Sequence, residues 1–134
     1  MPRQATTFAT VRQLGLRLPD VEESTSYGEP SLKVGGQMFA CIASNKQAEP
    51  DTLVVRLDFD QRDELVAEAP DVYYLKPHYV PYPCVLVRLS RIRPDALADL
   101  LRTGWKFVTA RRRRKTAVVR PARRRRPARR EPPE

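Results

Sequence analysis

The stretch "TLVVRLDF", residues 52–59, places an apolar residue at every second position, with Arg56 and Asp58 lying between them. A period of two is typical of a β-strand that buries one face and exposes the other. The residues that this alternation turns inward are Leu53, Val55, Leu57 and Phe59. The stretch therefore predicts a half-buried strand, and with it a sheet that has one apolar face.

Strand patterns continue on both sides of this stretch. The segment "SLKVGGQMFACIAS", residues 31–44, predicts two strands joined by a tight turn, because Gly35 and Gly36 can both adopt positive φ. The segments "DVYYLK", residues 71–76, and "CVLVRLS", residues 84–90, are also predicted to be extended. Hairpin connections of this kind predict an antiparallel sheet.

Three segments show helical periodicity instead. They are "TTFATVRQLGLRLPD" at residues 6–20, "QRDELVAEA" at residues 61–69 and "PDALADLLRTGWKFVT" at residues 94–109. The predicted order is helix, three strands, helix, two strands, helix. Because each helix carries one apolar stripe, we expect an α+β fold of two layers, with an antiparallel sheet and the helices on one of its faces.

The charge of the chain is concentrated at its C-terminal end. Residues 1–110 carry thirteen Lys or Arg and fourteen Asp or Glu, a net charge of −1, whereas residues 111–134 carry twelve and two, a net charge of +10. Since blocks of like charge repel and cannot pack, we predict a folded domain at 1–110 and a disordered Arg/Pro-rich tail at 111–134. The cations predicted to contact DNA or another polyanion are Arg111, Arg112, Arg113, Arg114, Lys115, Arg120, Arg123, Arg124, Arg125, Arg126, Arg129 and Arg130.

The residues that could support catalysis or metal binding are few. His78 is the only histidine, and the sequence has neither a Gly-x-Ser-x-Gly motif nor a glycine-rich phosphate loop. Cys41 and Cys84 have no metal-ligand spacing and lie in or beside apolar runs, which favours buried reduced thiols over a disulfide. We therefore expect no enzymatic activity, no cofactor and no metal site.

The sequence also bears on location. No stretch approaches the roughly 20 apolar residues that a membrane span requires, and the N-terminal segment lacks the apolar core of a secretory signal. The expected location is the cytoplasm, where the protein could also associate with the nucleoid. No membrane partner is expected.

Two surfaces of the domain are candidate binding sites. The segment "YYLKPHYVPYP", residues 73–83, contains four of the five tyrosines and the histidine. Together with an earlier tyrosine, the residues of this candidate ligand loop are Tyr27, Tyr73, His78, Tyr79 and Tyr82. The alternative is that Tyr73, Tyr79 and Tyr82 pack as a rigid cover over one end of the sheet. On the sheet face without helices, Lys33, Arg56 and Arg88 either contact phosphates or are ordinary solvated cations.

Several motifs occur in an order that resembles the MmcQ/YjbR-like family of small bacterial proteins. They are "LPDVEESTSYGEPSLKVGGQMFA", "LVVRLDF", "KPHYVPYPCVLVRL" and "ALADLLRTGWKFVTARR", and the resemblance covers residues 5–112. The positions that match the family pattern are Glu22, Glu23, Tyr27, Gly28, Pro30, Gly36 and the "PHY" at 77–79. The chain departs from the pattern at Cys84, where members often have an aromatic residue, and at Gln37, where members often have lysine.

The resemblance implies an α+β fold with an antiparallel sheet, DNA binding through a double-wing arrangement, and no catalytic activity. The first hypothesis is therefore a non-enzymatic DNA-binding protein that draws its affinity mainly from the arginine-rich tail and has weak sequence specificity. The alternative is a domain that binds a small ligand or a protein through the loop at 73–82, with the tail incidental. Neither hypothesis specifies an oligomeric state.

Overall fold

The computed structural model describes residues 6–122, with side chains as far as Arg111. These residues contain an antiparallel sheet of six strands and three helices. In chain order the elements are α1 (Phe8–Gly15), β1 (Val21–Ser26), β2 (Glu29–Val34), β3 (Gln37–Ile42), β4 (Thr52–Arg56), α2 (Phe59–Glu68), β5 (Tyr73–Tyr74), β6 (Cys84–Arg88) and α3 (Pro94–Ala122). The strands lie in the order β1-β2-β3-β4-β6-β5. The predicted α+β fold with an antiparallel sheet is confirmed.

The structure has one strand more than the sequence predicts. Strand β1 has the sequence "VEESTS" and pairs with β2 from Val21 opposite Val34 to Ser26 opposite Glu29. It is an edge strand, so it takes hydrogen bonds from one neighbour and needs little apolar surface of its own. A sequence prediction based on apolar alternation therefore has no signal at this position.

Two tight turns connect the first three strands. Gly35 and Gly36 have φ of 59° and 80°, so the predicted glycine turn between β2 and β3 is confirmed. The turn between β1 and β2 has the same form, with φ of 56° at Tyr27 and 80° at Gly28. Positive φ at both central residues is the geometry that matches the twist of a two-residue hairpin. Tyr27 adopts it although it has a Cβ.

The main core lies between the sheet and the helices. Leu53, Val55 and Leu57 are fully buried there, as predicted, and α3 contributes Leu97 and Leu101 to the same cluster. Burying apolar surface of this kind stabilises the fold by about 1.5–3 kcal/mol for each large side chain.

Phe59 was predicted to face inward as the last strand residue, and this prediction is wrong. It is the first residue of α2 and is 44% exposed. The strand ends earlier because Asp58 caps the helix: its side-chain Oδ1 accepts a hydrogen bond of 2.8 Å from the backbone N–H of Gln61.

Helix α3 lies very close to the sheet at Gly104. A Cβ at this position would stand 2.9 Å from Val55 Cγ1, 3.0 Å from the carbonyl oxygen of Arg56 and 3.4 Å from that of Phe39. Only glycine therefore allows the helix axis to approach β3 and β4 this closely, which fixes the helix against the central strands.

The same helix ends at Ala122, which is twelve residues beyond the domain boundary that the sequence suggests at 110. A packed helix already has its nucleus, so each further residue as far as Arg120 adds a hydrogen bond, and Arg, Lys and Ala are strong helix formers. Pro121, which has no N–H to donate, lies in the last turn. Residues 123–134 lie outside the described residues, and disorder there stays a prediction. Within the described residues, neither α3 nor any other helix has the apolar length to cross a membrane.

We expect Gly104→Ala to destabilise the protein by about 1–3 kcal/mol, because the methyl group overpacks against Val55 and two carbonyl oxygens. In an exposed helix the same change would stabilise by up to about 1 kcal/mol through helix propensity. Urea unfolding measures the difference, with Lys106→Ala at an exposed position of α3 as the control. A Gly104→Ala protein as stable as the wild type would contradict the close approach.

Candidate functional site

The sheet face opposite the helices is covered by loops. Its buried residues form a second apolar cluster, which consists of Cys41, Val54, Tyr74, Tyr79, Cys84 and Leu86. Ala43 and Ala48 from the loop after β3, and Leu75 from the loop after β5, pack against this cluster. The loops leave a cavity of about 660 Å³ above β3, β4 and β6. We call this space the open-face cavity.

A bulge in β3 shapes the strand side of the cavity. Leu32 pairs with Ala40 but the next residue, Lys33, pairs with Met38, so Phe39 is an extra residue in the ladder. Phe39 and Ala40 both belong to the helix-side core, whereas Met38 lines the open-face cavity. Strict alternation from the sequence does not reveal the bulge, because Phe39 and Ala40, the two consecutive residues on the helix side, are both apolar.

Aromatic side chains line the loop side of the cavity. Tyr27 from the β1–β2 turn and Tyr82 from the loop before β6 are 85% and 54% exposed, whereas Tyr79 is buried. The ring of His78 lies edge-on to Tyr79, with centroids 4.8 Å apart, and 6.1 Å from the ring of Tyr82. The structure thus brings together four of the five residues of the candidate ligand loop.

Tyr73 is the residue of that set that does not join the cavity. It packs in the helix-side core and is 7% exposed, because successive side chains of β5 point to opposite faces. Tyr74 takes the place on the open face. Its hydroxyl oxygen lies 2.6 Å from Thr52 Oγ1 and accepts a hydrogen bond of 2.8 Å from the backbone N–H of Glu49. This tyrosine ties the loop after β3 to the sheet.

The three predicted cations Lys33, Arg56 and Arg88 all lie on the open face by register, and Arg88 is fully engaged there. Its guanidinium makes two hydrogen bonds of 2.9 Å to the carboxylate of Glu49 and stands 4.2 Å above the ring centroid of Tyr74. It also donates to the carbonyl oxygens of Pro70 and Asp71. The hydrogen bond from Arg88 lowers the pKa of Glu49. Arg88 therefore holds loops together and has little capacity left for a phosphate.

Arg56 is placed differently. It lines the open-face cavity, is half-buried, and has no carboxylate partner within 4 Å among the described residues. Its guanidinium lies 5.7 Å from the ring centroid of Phe107 in α3, and Arg111 lies 5.4 Å from the same ring. Burial and the charge of Arg111 lower the pKa of Arg56. This cation is thus the one on the cavity wall that is available to an anion.

Arg62 supports the site from behind, at a position that the sequence does not single out. It is only 8% exposed, and its guanidinium donates to the carbonyl oxygens of Val80 at 2.8 Å and Tyr82 at 3.3 Å. It also pairs with Asp63 and lies 4.7 Å from the Phe59 ring centroid. Arg62 therefore fastens residues 75–83, the segment between β5 and β6 that we call the aromatic loop, to α2. In sequence it is one of several charges on a polar helix, and only burial distinguishes it.

Both cysteines line the open-face cavity. They are free and buried, at 4% and 5% exposure, in agreement with the predicted reduced thiols. Cys41 pairs with Val54 of β4, and Cys84 pairs with Arg56 two residues further along that strand. Burial raises the pKa of each thiol to about 11. Among the described residues no group of three His, Cys, Asp or Glu is arranged to hold a metal ion.

Comparisons relate the chain to known proteins by sequence and by fold. The model of the family described as YjbR matches residues 16–107. Uncharacterized proteins of Mycobacterium bovis and Mycobacterium tuberculosis are each 36% identical over 64 residues, which is 47% of this chain and 50% of theirs, so the chain spans about half the length of the curated relatives it matches. A crystal structure of a Deinococcus radiodurans protein with a DUF419 domain has a TM-score of 0.64 at 22% identity, over 81% of this chain and 83% of that one. The last similarity is one of fold.

The raised pKa values predict slow thiol chemistry. Because burial favours the neutral thiol, a chromogenic disulfide reagent should react with Cys41 and Cys84 far more slowly at pH 8 than it reacts with an exposed thiol. The reaction should become faster as the pH approaches 11. The same preference stabilises the fold below the ordinary thiol pKa, and this contribution is lost as the pH rises through the folded value. Reaction at pH 8 as fast as in urea would contradict the burial of both groups.

Arg62→Ala should loosen the aromatic loop. Removing a buried guanidinium that serves two carbonyl oxygens should cost about 2–3 kcal/mol of unfolding free energy. It should also raise the rate at which Cys84, directly after the loop, reacts at pH 8. The control is Arg93→Ala, because Arg93 is 75% exposed and its partner Asp95 is 80% exposed. Equal thiol rates in the two variants would show that Arg62 does not hold the loop.

Proposed function

The chain belongs to the YjbR family, and we propose that it is a non-enzymatic nucleic-acid-binding protein, with DNA as the first partner to test, whose affinity comes mainly from the cations after residue 110. The observation that carries this proposal is the continuation of α3 to Ala122. The helix that packs in the core runs on into the arginine-rich sequence. The first six cations of that sequence, residues 111–115 and 120, are therefore attached to the domain through helical backbone.

Electrostatics support a polyanion as the partner. Like charges on adjacent helical positions repel, and phosphates that bind them relieve this repulsion while releasing condensed counterions. Eleven of the twelve cations are arginine, whose planar guanidinium can make two hydrogen bonds to one phosphate. If six to ten of them contact phosphates, the log–log salt slope on duplex DNA is roughly −5 to −9.

The domain itself contributes little long-range attraction in this proposal. Its net charge is −1 over residues 1–110, and Arg88 is occupied by Glu49. Lys33 and Arg56 remain as cations of the open face without an ion pair among the residues described. We call the arginine-rich part of the chain after residue 110 the basic extension. Binding through it is expected to depend only weakly on the sequence of the nucleic acid.

One observation favours a second candidate function, the binding of a small ligand by the domain. The open-face cavity has an apolar strand side, exposed tyrosines and one available cation, which is the composition of many small-molecule sites. On this account the basic extension is incidental, and ligand binding survives removal of its charges.

Titration of a labelled DNA duplex, followed by fluorescence anisotropy at ~50 and ~200 mM salt, tests the first proposal. One variant ends at Ala122, and a second, full-length variant replaces Arg112, Arg113, Arg114, Lys115 and Arg120 with glutamine. Each should bind more weakly and with a shallower salt slope. For the second, the slope should change by up to about 4–5, since each phosphate contact contributes roughly 0.9.

The control changes three exposed cations of the domain, Arg17, Arg93 and Arg102, to glutamine. It should keep nearly all of the affinity. Equal losses in the control and in the second variant would contradict the assignment to the basic extension, and failure of the wild-type chain to bind at the lower salt would contradict nucleic-acid binding altogether.

A further inference from the structure

The open-face cavity and the start of the basic extension of α3 meet at one corner of the described residues. Arg56 lines the open-face cavity, and its guanidinium and that of Arg111 lie 5.7 and 5.4 Å from the centroid of the same Phe107 ring. Arg111 is also the first cation of the basic run. A strand that leaves the cavity past Arg56 therefore reaches the basic extension directly.

We propose that the open-face cavity binds an unpaired base of a single-stranded nucleic acid, whose phosphates pass Arg56 and continue along the basic extension of α3. This inference rests on the proposed function and deepens it, because it names single strands as the preferred partner and assigns the domain a role in recognition. In a duplex the bases are stacked and paired, so they cannot enter the cavity without being extruded.

The lining of the cavity suits a base. Bases stack on aromatic side chains irrespective of sequence, and Tyr27 and Tyr82 present large exposed rings at the cavity. The strand side supplies the apolar groups of Met38 and Val54, and Asn45 offers an amide that can hydrogen-bond to a base edge. At about 660 Å³ the cavity lies in the range of small-molecule sites.

Tyr27 is held in a backbone conformation that favours glycine or asparagine. Its φ is 56°, in the left-handed region, where a side chain with a Cβ is strained. A tyrosine there is 85% exposed and so gains little from burial in return. Stability alone does not account for this residue, whereas a ring that must stand at the mouth of the cavity does.

Charge gives the cavity a direction. Glu29, which contributes to the raised pKa of Cys41, lies two residues from Ser31 toward the Tyr27 turn. Ser31, Cys41 and Val54 lie opposite one another on three neighbouring antiparallel strands, so β2 and β4 run in the same direction. Glu29 precedes Ser31 and Arg56 follows Val54, so Arg56 lies toward the opposite end of these strands. Phosphates are therefore repelled at the turn and attracted at Arg56, which places a base near Tyr27 and the backbone near α3.

The test compares a labelled oligo-dT strand of about 15 nucleotides with a duplex of equal length, using the full chain. Wild-type protein should bind the single strand more tightly. Tyr27→Ala with Tyr82→Ala should weaken single-strand binding at least ~10-fold and leave duplex binding nearly unchanged. Leu16→Ala, which removes another exposed apolar side chain, 44% exposed and not among the cavity residues, is the control and should change neither.

Tyr27→Asn separates recognition from folding. Because asparagine tolerates positive φ, this variant should be at least as stable to urea as the wild type, yet it should bind the single strand more weakly. A 2-aminopurine base placed in the oligonucleotide reports stacking directly: its fluorescence should be quenched by the wild type and much less by Tyr27→Asn.

The outcomes distinguish the two proposals. Equal binding of single strand and duplex, with no effect of the tyrosine variants, overturns the base-binding inference and leaves nucleic-acid binding by the basic extension intact. Binding of neither oligonucleotide overturns both. Loss of single-strand preference in the tyrosine variants alone, with duplex affinity retained, supports the inference.

Discussion

The close approach of α3 to the sheet at Gly104 is the contact on which the rest of the structure depends. It brings the helix backbone against Val55 and the carbonyl oxygen of Arg56, so the central strands are buried on that side. Because side chains alternate along a strand, the Arg56 side chain, next to Val55, is then directed to the other face. One glycine thus sets both the position of the main core and the face on which a cavity can form.

The open face is organised by arginines that do different things. Arg62 and Arg88 are engaged by carbonyl oxygens, a carboxylate and an aromatic ring, and they fasten the loops that border the cavity. A buried charged group such as Arg62 costs free energy unless its donors are satisfied, and most of the donors of Arg62 and Arg88 have partners. Arg56, by contrast, has one long hydrogen bond of 3.4 Å, to the carbonyl oxygen of Met38, and no ion pair among the described residues. Structural and available cations are therefore distinguished by their partners and not by their charge.

Helix α3 has two roles that are usually given to separate segments. Its first half supplies Leu97, Leu101 and Val108 to the core, and its continuation carries arginines away from it. A rigid connection places the start of the basic sequence beside the cavity, whereas a flexible linker would leave the two unrelated. The proposed single-strand site depends on this connection, because one ligand must reach both an aromatic ring and a series of cations.

The sequence pattern alone predicted the α+β class, the inward residues of β4, the glycine turn and the uneven distribution of charge, because each of these follows from local periodicity or composition. It did not indicate β1, whose partner supplies the hydrogen bonds, nor the bulge at Phe39, nor the continuation of α3, whose nucleus lies in the packed core. It also could not separate Tyr73 from Tyr27, His78, Tyr79 and Tyr82, or Arg88 from Arg56. Burial and bonding partners fix these differences, and both come from segments that are far apart in the chain.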